Sequence, residues 1–177
     1  MDPLIAYTFP VKGLKAGVHR FDFQVDRAFF QAFEGSPVED GNVQLTLYFD
    51  KRPTMFVLDF EFSGTVKSSC DRCLEIIDLP IADRQQLLVK FDEVEEEDAE
   101  VVYIHPDTDE LSVAKWAYEF ICLAIPISRR YDCENDLNAV CNQEVLKYLR
   151  TEDADTESPE EPPRNPIWDV LKDLNNN

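Results

Sequence analysis

The sequence predicts an α+β fold, an antiparallel β-meander packed with a few helices, on three observations. Apolar residues alternate at Val43, Leu45, Leu47 and Phe49 and again at Phe56, Leu58, Phe60 and Phe62, the period of strands buried on one face. The polar break Asp50-Lys51-Arg52-Pro53 between these runs makes them a hairpin. Further on, Val113, Trp116, Ala117, Phe120 and Ile121 recur at three and four residues, which is helical spacing.

The remaining elements follow in order. Residues 19–25 (HRFDFQV) alternate and predict a strand, the aromatic-rich stretch 26–33 a short helix, and 34–41 a turn-rich connection. Gly64 is expected to bend the chain into a third short strand, 65–69, that delivers Cys70 to the end of a sheet. Residues 74–79 and 86–91 are two further strand candidates, so Cys70 and Cys73 fall in a strand-to-strand turn. Ser112 is placed to cap the main helix and Pro126 to end it, and a second helix is expected over 142–149.

Composition then changes. Residues 1–150 read as one domain, 151–164 as an acidic, proline-bearing disordered linker, and 165–177 as a C-terminal amphipathic segment. In that segment Ile167, Trp168, Leu171 and Leu174 are helically spaced. Trp168 and Leu171 are the residues expected to dock, either back onto the domain or into a partner.

The formal net charge of −19 is unevenly distributed. Residues 92–100 hold seven acids and no base, and 151–161 hold six acids and no base; without those thirteen charges the net is −6. Runs of this kind are expected to be a solvated loop insert and linker that favour a basic protein partner and disfavour broad contact with RNA or anionic lipid. The longest apolar run, 120–127, is far short of the roughly 20 residues a membrane span needs, and the first residues lack a signal-like pattern. The expectation is a soluble, cytoplasmic protein with no membrane partner.

Enzyme signatures are missing. There are only five glycines, none in a phosphate-binding pattern, and the two histidines, His19 and His105, read as packing or surface residues. The reading is therefore of a non-enzyme with no small-molecule substrate. The cysteines carry what site chemistry there is. Cys70 and Cys73 (C-x2-C) with Cys133 and Cys141 (C-x7-C) supply four thiolates, the number that structural zinc takes. Two alternatives stand beside zinc: free structural thiols, and a redox pair, which normally opens a helix whereas LEIIDLP here reads as strand. Cys122, among apolar residues, is expected to be a small buried hydrophobe. Arg72, Arg129 and Arg130 are the candidates for contact with RNA.

The string Cys70-Asp71-Arg72-Cys73-Leu74, preceded by Phe62-Ser63-Gly64-Thr65-Val66, resembles the signature of the YceD-like family of large ribosomal RNA subunit accumulation proteins. The acidic insert, the helical stretch 107–126 ending in proline and the closing NPIWDVLKDL are similar to that family's order of features. The family often places a histidine after the helix-ending proline, where residues 127–133 have none. The resemblance implies a non-catalytic factor in large ribosomal subunit biogenesis, supporting 23S rRNA accumulation or processing. Joined to the charge pattern, it points to a basic ribosomal or rRNA-processing protein as partner. Direct RNA binding and a CxxC thiol oxidoreductase are the alternatives.

Overall fold

The computed structural model describes residues 2–93, 96–97, 101–131 and 141–154. Its centre is a six-stranded sheet in the order β2-β3-β4-β5-β7-β6. The strands are β2 (Gly17–Val25), β3 (Gly41–Lys51), β4 (Met55–Ser69), β5 (Ile76–Phe91), β6 (Glu96–Glu97) and β7 (Val101–Ile104). β2 to β5 form the antiparallel meander that the alternation predicts, β7 joins β5 in parallel, and β6 closes that edge antiparallel to β7. Two short strands, β1 (Thr8–Pro10) and β8 (Glu110–Ser112), pair separately. The helices are α1 (Arg27–Gln31), α2 (Ala114–Leu123) and α3 (Gln143–Ala154).

A period of two means that one register fixes both faces of the sheet. Leu45 stands opposite Phe62, Leu47 opposite Phe60 and Phe49 opposite Leu58, all buried. Between them Gln44, Thr46, Asp59 and Glu61 turn to the other face, where Thr46 Oγ1 donates to Asp22 (2.7 Å) and Arg84 pairs with Glu61 (3.1 Å). The sheet is thus apolar on one side and wet on the other. The apolar side is covered by Tyr7 stacked on Phe23 at 4.5 Å, Phe9 against Phe21 at 4.4 Å, Phe29 and Phe30 of α1, and Trp116, Ala117 and Ile121 of α2. Asp26 caps α1 by accepting from the Ala28 and Phe29 amides, and Asn142 does the same for α3 with Glu144 and Val145.

Four elements depart from the sequence reading. Gly64 does not bend the chain, since β4 runs unbroken through it. At φ +158° a Cβ on Gly64 would lie against the Asn42 carbonyl oxygen and 2.7 Å from Val43 Cα, so glycine is there to let β3 pass close by. The two candidate strands after Cys73 are one, β5, continuous across Pro80. β7 pairs only with Leu88–Phe91, so Pro80 lies where β5 has a neighbour on one side and its missing N–H costs no ladder bond. Ser112 pairs with Thr8 in β8 instead of capping α2, whose N-cap is Val113 with no side-chain bond. Helix α3 continues to Ala154, four residues into the stretch read as linker.

The first acid run is not wholly loop. Glu96 and Glu97 pair with Tyr103 and Val102 through the backbone, an interaction open to any residue but proline. The expected segments beyond residue 154, linker and amphipathic tail, lie outside the described residues.

Gly64→Ala is expected to destabilise the protein by about 2 kcal/mol or more, because the added carbon meets backbone on the neighbouring strand. Urea denaturation should show a lower midpoint. An unchanged midpoint would mean that β3 can move aside freely.

Candidate functional site

Six residues, 70–75, join β4 to β5 and form the corner that carries the cysteine pair. The turn is closed by backbone bonds from Cys70 N–H to the Glu75 carbonyl (2.8 Å) and from Leu74 N–H to the Cys70 carbonyl (2.9 Å). Leu74 takes a left-handed conformation, φ 62°, the one positive φ outside glycine among the described residues. Ser69 Oγ donates to its carbonyl at 3.3 Å. Both sulfurs are fully buried and both are free of disulfide.

Burial alone would raise the Cys70 thiol. Backbone N–H groups of Tyr131, Cys73 and Arg72 aim at its sulfur, however, and with the Cys73 thiol they outweigh desolvation and hold it below the usual thiol range. Amide donors directed at a sulfur favour its charged form, the one that a cation would take, over the neutral thiol. The pair stands between two strands, so no helix dipole acts on it, and its burial keeps it from bulk reagents. Cys122 on α2 is half-buried instead of buried, and desolvation pushes its thiol up.

The chain following α2 is clasped to this corner. Asp71 N–H donates to the Arg129 carbonyl (2.7 Å), Arg129 N–H donates to Asp71 Oδ2 (2.7 Å), and the Arg129 guanidinium meets Asp71 Oδ1 at 3.3 Å and Ser68 Oγ at 3.3 Å. Of the arginines proposed from sequence, Arg72 and Arg129 therefore share the corner, with Arg130 exposed beside them. Beneath lies a hollow of about 440 Å³, lined by Arg27, Lys67, Ser68, Ser69, Ile76 and Arg129 together with Pro37, Glu39 and Asp40. Sequence reasoning missed Arg27 and Lys67, because only the meander's register brings residues so far apart in the chain to one place.

Of the four proposed metal ligands, Cys70 and Cys73 are brought together, Cys141 is buried near the start of α3 and is disulfide-bonded, and Cys133 lies outside the described residues. Among the described residues no three His, Cys, Asp or Glu side chains converge as metal ligands do. Trp168 and Leu171 also lie outside the described residues. The histidines serve locally: His19 Nε2 contacts the Lys15 carbonyl at 2.8 Å, and His105 Nδ1 accepts from the Asp107 amide at 3.2 Å.

A buried dithiol at the tip of a β-hairpin, clasped by a segment from beyond the main helix, defines an α+β protein organised around a CxxC corner. The chain belongs to the family described as Large ribosomal RNA subunit accumulation protein YceD, which matches residues 58–175, two thirds of its length. The match starts within β4 and takes in the corner, β5 and α2, as the resemblance at residues 70–74 implied. The family is named for the accumulation of a ribosomal RNA, and the name specifies no reaction. No curated protein and no solved structure matches the chain. No helix among the described residues is long and apolar enough to cross a membrane.

Asp71→Ala removes the acceptor of the Arg129 amide and its ion-pair partner. Hydrogen exchange at Arg129 is expected to accelerate by about tenfold or more, a local loss of about 1–3 kcal/mol. Unchanged exchange there would show that the clasp is held by other contacts.

Proposed function

We propose that this protein is a non-catalytic factor in large ribosomal subunit biogenesis that acts by holding a basic ribosomal or rRNA-processing protein. Membership of a family named for large-subunit rRNA accumulation carries the reading, and the charge pattern narrows it. The run 92–100 is tethered to the sheet by Asp92 N–H donating to the Ile104 carbonyl (3.0 Å) and by β6 on β7. Acids on a sheet edge present a localised negative field, which speeds encounter with a cationic partner and selects against anionic ones. Replacing Glu95, Glu96, Glu97 and Asp98 by their amides should reduce capture of ribosomal or processing proteins from a low-salt lysate by about tenfold, the effect of a few screened charge pairs. Equal capture by the variant, or none by the parent, would contradict the reading.

A second reading, direct contact with RNA, is favoured by Arg27, Lys67 and Arg129 around one hollow. Phosphate contact there predicts rRNA retention that falls when Arg27 and Arg129 are replaced and that weakens with salt. A thiol oxidoreductase is the least supported, since the dithiol is buried and lacks a helix N-terminus.

We also propose that Cys70 and Cys73 form half of a structural zinc site completed by Cys133 and Cys141. The amide-ringed Cys70 sulfur supports it, as does the fact that one of its donors, Tyr131, is only two residues from Cys133. Two residues span at most about 7 Å. Zinc requires Cys141 as a thiolate, so the site forms only in reductant. Elemental analysis of untagged protein purified in reductant without chelator should find about one zinc per chain, lost in Cys70→Ser. Absence of zinc in the parent would leave the corner as two hydrogen-bonded thiols.

A further inference from the structure

The six-stranded sheet ends differently on its two sides. One edge is β6, only Glu96 and Glu97, and a short, charged edge is how sheets discourage a further strand. The other is β2, which runs nine residues in unbroken register with β3 and holds no proline, bulge or lysine. Bonds at the two ends of β3 fix which of its peptide groups face which way. Lys67 N–H donates to the Asp40 carbonyl (2.9 Å) and Arg52 N–H to the Met55 carbonyl (3.0 Å). Opposite residues of an antiparallel ladder alternate between bonded and unbonded, so the even-numbered residues of β3 bond to β4 and the odd-numbered ones to β2. Odd positions of β2 stand opposite odd positions of β3, as Phe21 does opposite Leu47. Val18, Arg20, Asp22 and Gln24 therefore aim both their N–H and their C=O groups away from the sheet. None of these groups has a backbone partner among the described residues. A hollow of about 350 Å³ between Asp22, Phe23 and Gln24 and the side chains of Pro3, Ala6 and Tyr7 leaves that part of the edge unfilled.

The sequence of this edge complements itself. A two-fold axis through Phe21, perpendicular to the sheet, sets Arg20 opposite Asp22 of a second copy and Val18 opposite Gln24 of that copy, each twice. Every outward N–H and C=O of the four residues then meets its counterpart. On the wet face, where Arg20 and Asp22 already pair within the strand at 2.9 Å and stay about half exposed, two opposite-charge cross-strand pairs form. On the apolar face Phe21 meets its own copy and His19 meets Phe23 of the other, all three being only half-buried in the single chain. Moving the axis by one residue sets Arg20 against Arg20 or Asp22 against Asp22 and leaves Gln24 or Val18 unpaired. The chain's net charge of −19 opposes self-association, but the acid-bearing β6 lies at the opposite edge with four strands between, well beyond the roughly 8 Å over which salt screens exposed charges.

We infer that two copies of this chain associate through their β2 edges, antiparallel about Phe21, into one continuous sheet whose outer ends are the two β6 strands. This inference does not rest on the partner reading above, and its test uses no partner.

The experiment is amide hydrogen exchange and sedimentation equilibrium on the purified full chain over a range of concentrations. The chain should sediment at twice its monomer mass. The outward amides of Arg20 and Asp22 should exchange at least about tenfold more slowly in concentrated than in dilute protein, since they gain a bond only in the pair. Arg20→Asp and Asp22→Arg should each weaken self-association by about tenfold, as two attractive cross-strand pairs become repulsive. An equimolar mixture of the two variants should pair again, because each then offers the charge the other needs. A monomer at every concentration, or a dimer in which the Arg20 and Asp22 amides exchange as fast as in dilute protein, would overturn the inference. So would folded variants that fail to pair when mixed. Should either variant fail to fold, the exchange of the unaltered chain decides alone.

Discussion

An unbroken hairpin, β4 paired with β5 from Met55 opposite Lys90 to Ser69 opposite Ile76, is the constraint on which the rest of the protein depends. Its register is not free to slip, because moving one strand by a residue would turn Phe56, Leu58, Phe60 and Phe62 out of the core and Asp59 and Glu61 into it. A fixed register fixes the tip, and the tip is where Cys70 and Cys73 sit. Gly64 contributes by having no side chain, which lets β3 lie against β4 and seat the hairpin within the meander.

Two kinds of bond turn that tip into a site. Amides directed at the Cys70 sulfur favour its charged form despite burial. The paired backbone bonds between Asp71 and Arg129, with an ion pair alongside, bind the segment beyond α2 to the turn. The corner therefore joins the start of the family-matched region to its middle, residues that are neighbours in space and some sixty positions apart in the chain. Arg27, Lys67 and Arg129 gather there, while on the other side of β5 from β4 the pair Glu96–Glu97 adds to β7.

Much of this was legible from the sequence because it is local. Alternation at residues 43–49 and 56–62 announced β3 and β4, and the cysteine turn followed from strands on either side of it. Errors arose where a local rule met a tertiary exception. Gly64 and Pro80 look like breaks, yet one admits a neighbouring strand and the other lies on an edge with no partner to lose. Ser112 has the chemistry of a cap, but its backbone is spent pairing with Thr8. The hollow of Arg27, Lys67 and Arg129 left no signal at all, since no periodicity links positions that only the sheet register brings together. The parallel pairing of Val101–Ile104 with β5 was missed for the same reason.

The central proposal is that this protein serves accumulation of the large-subunit ribosomal RNA, as its family's name indicates. Sedimentation profiles of ribosomal subunits from cells lacking this protein test it most directly, with large-subunit rRNA quantified against small-subunit rRNA. The expected result is a selective deficit of the large subunit and its RNA, restored by the parent gene. Large subunits in normal proportion in the deleted cells would contradict it.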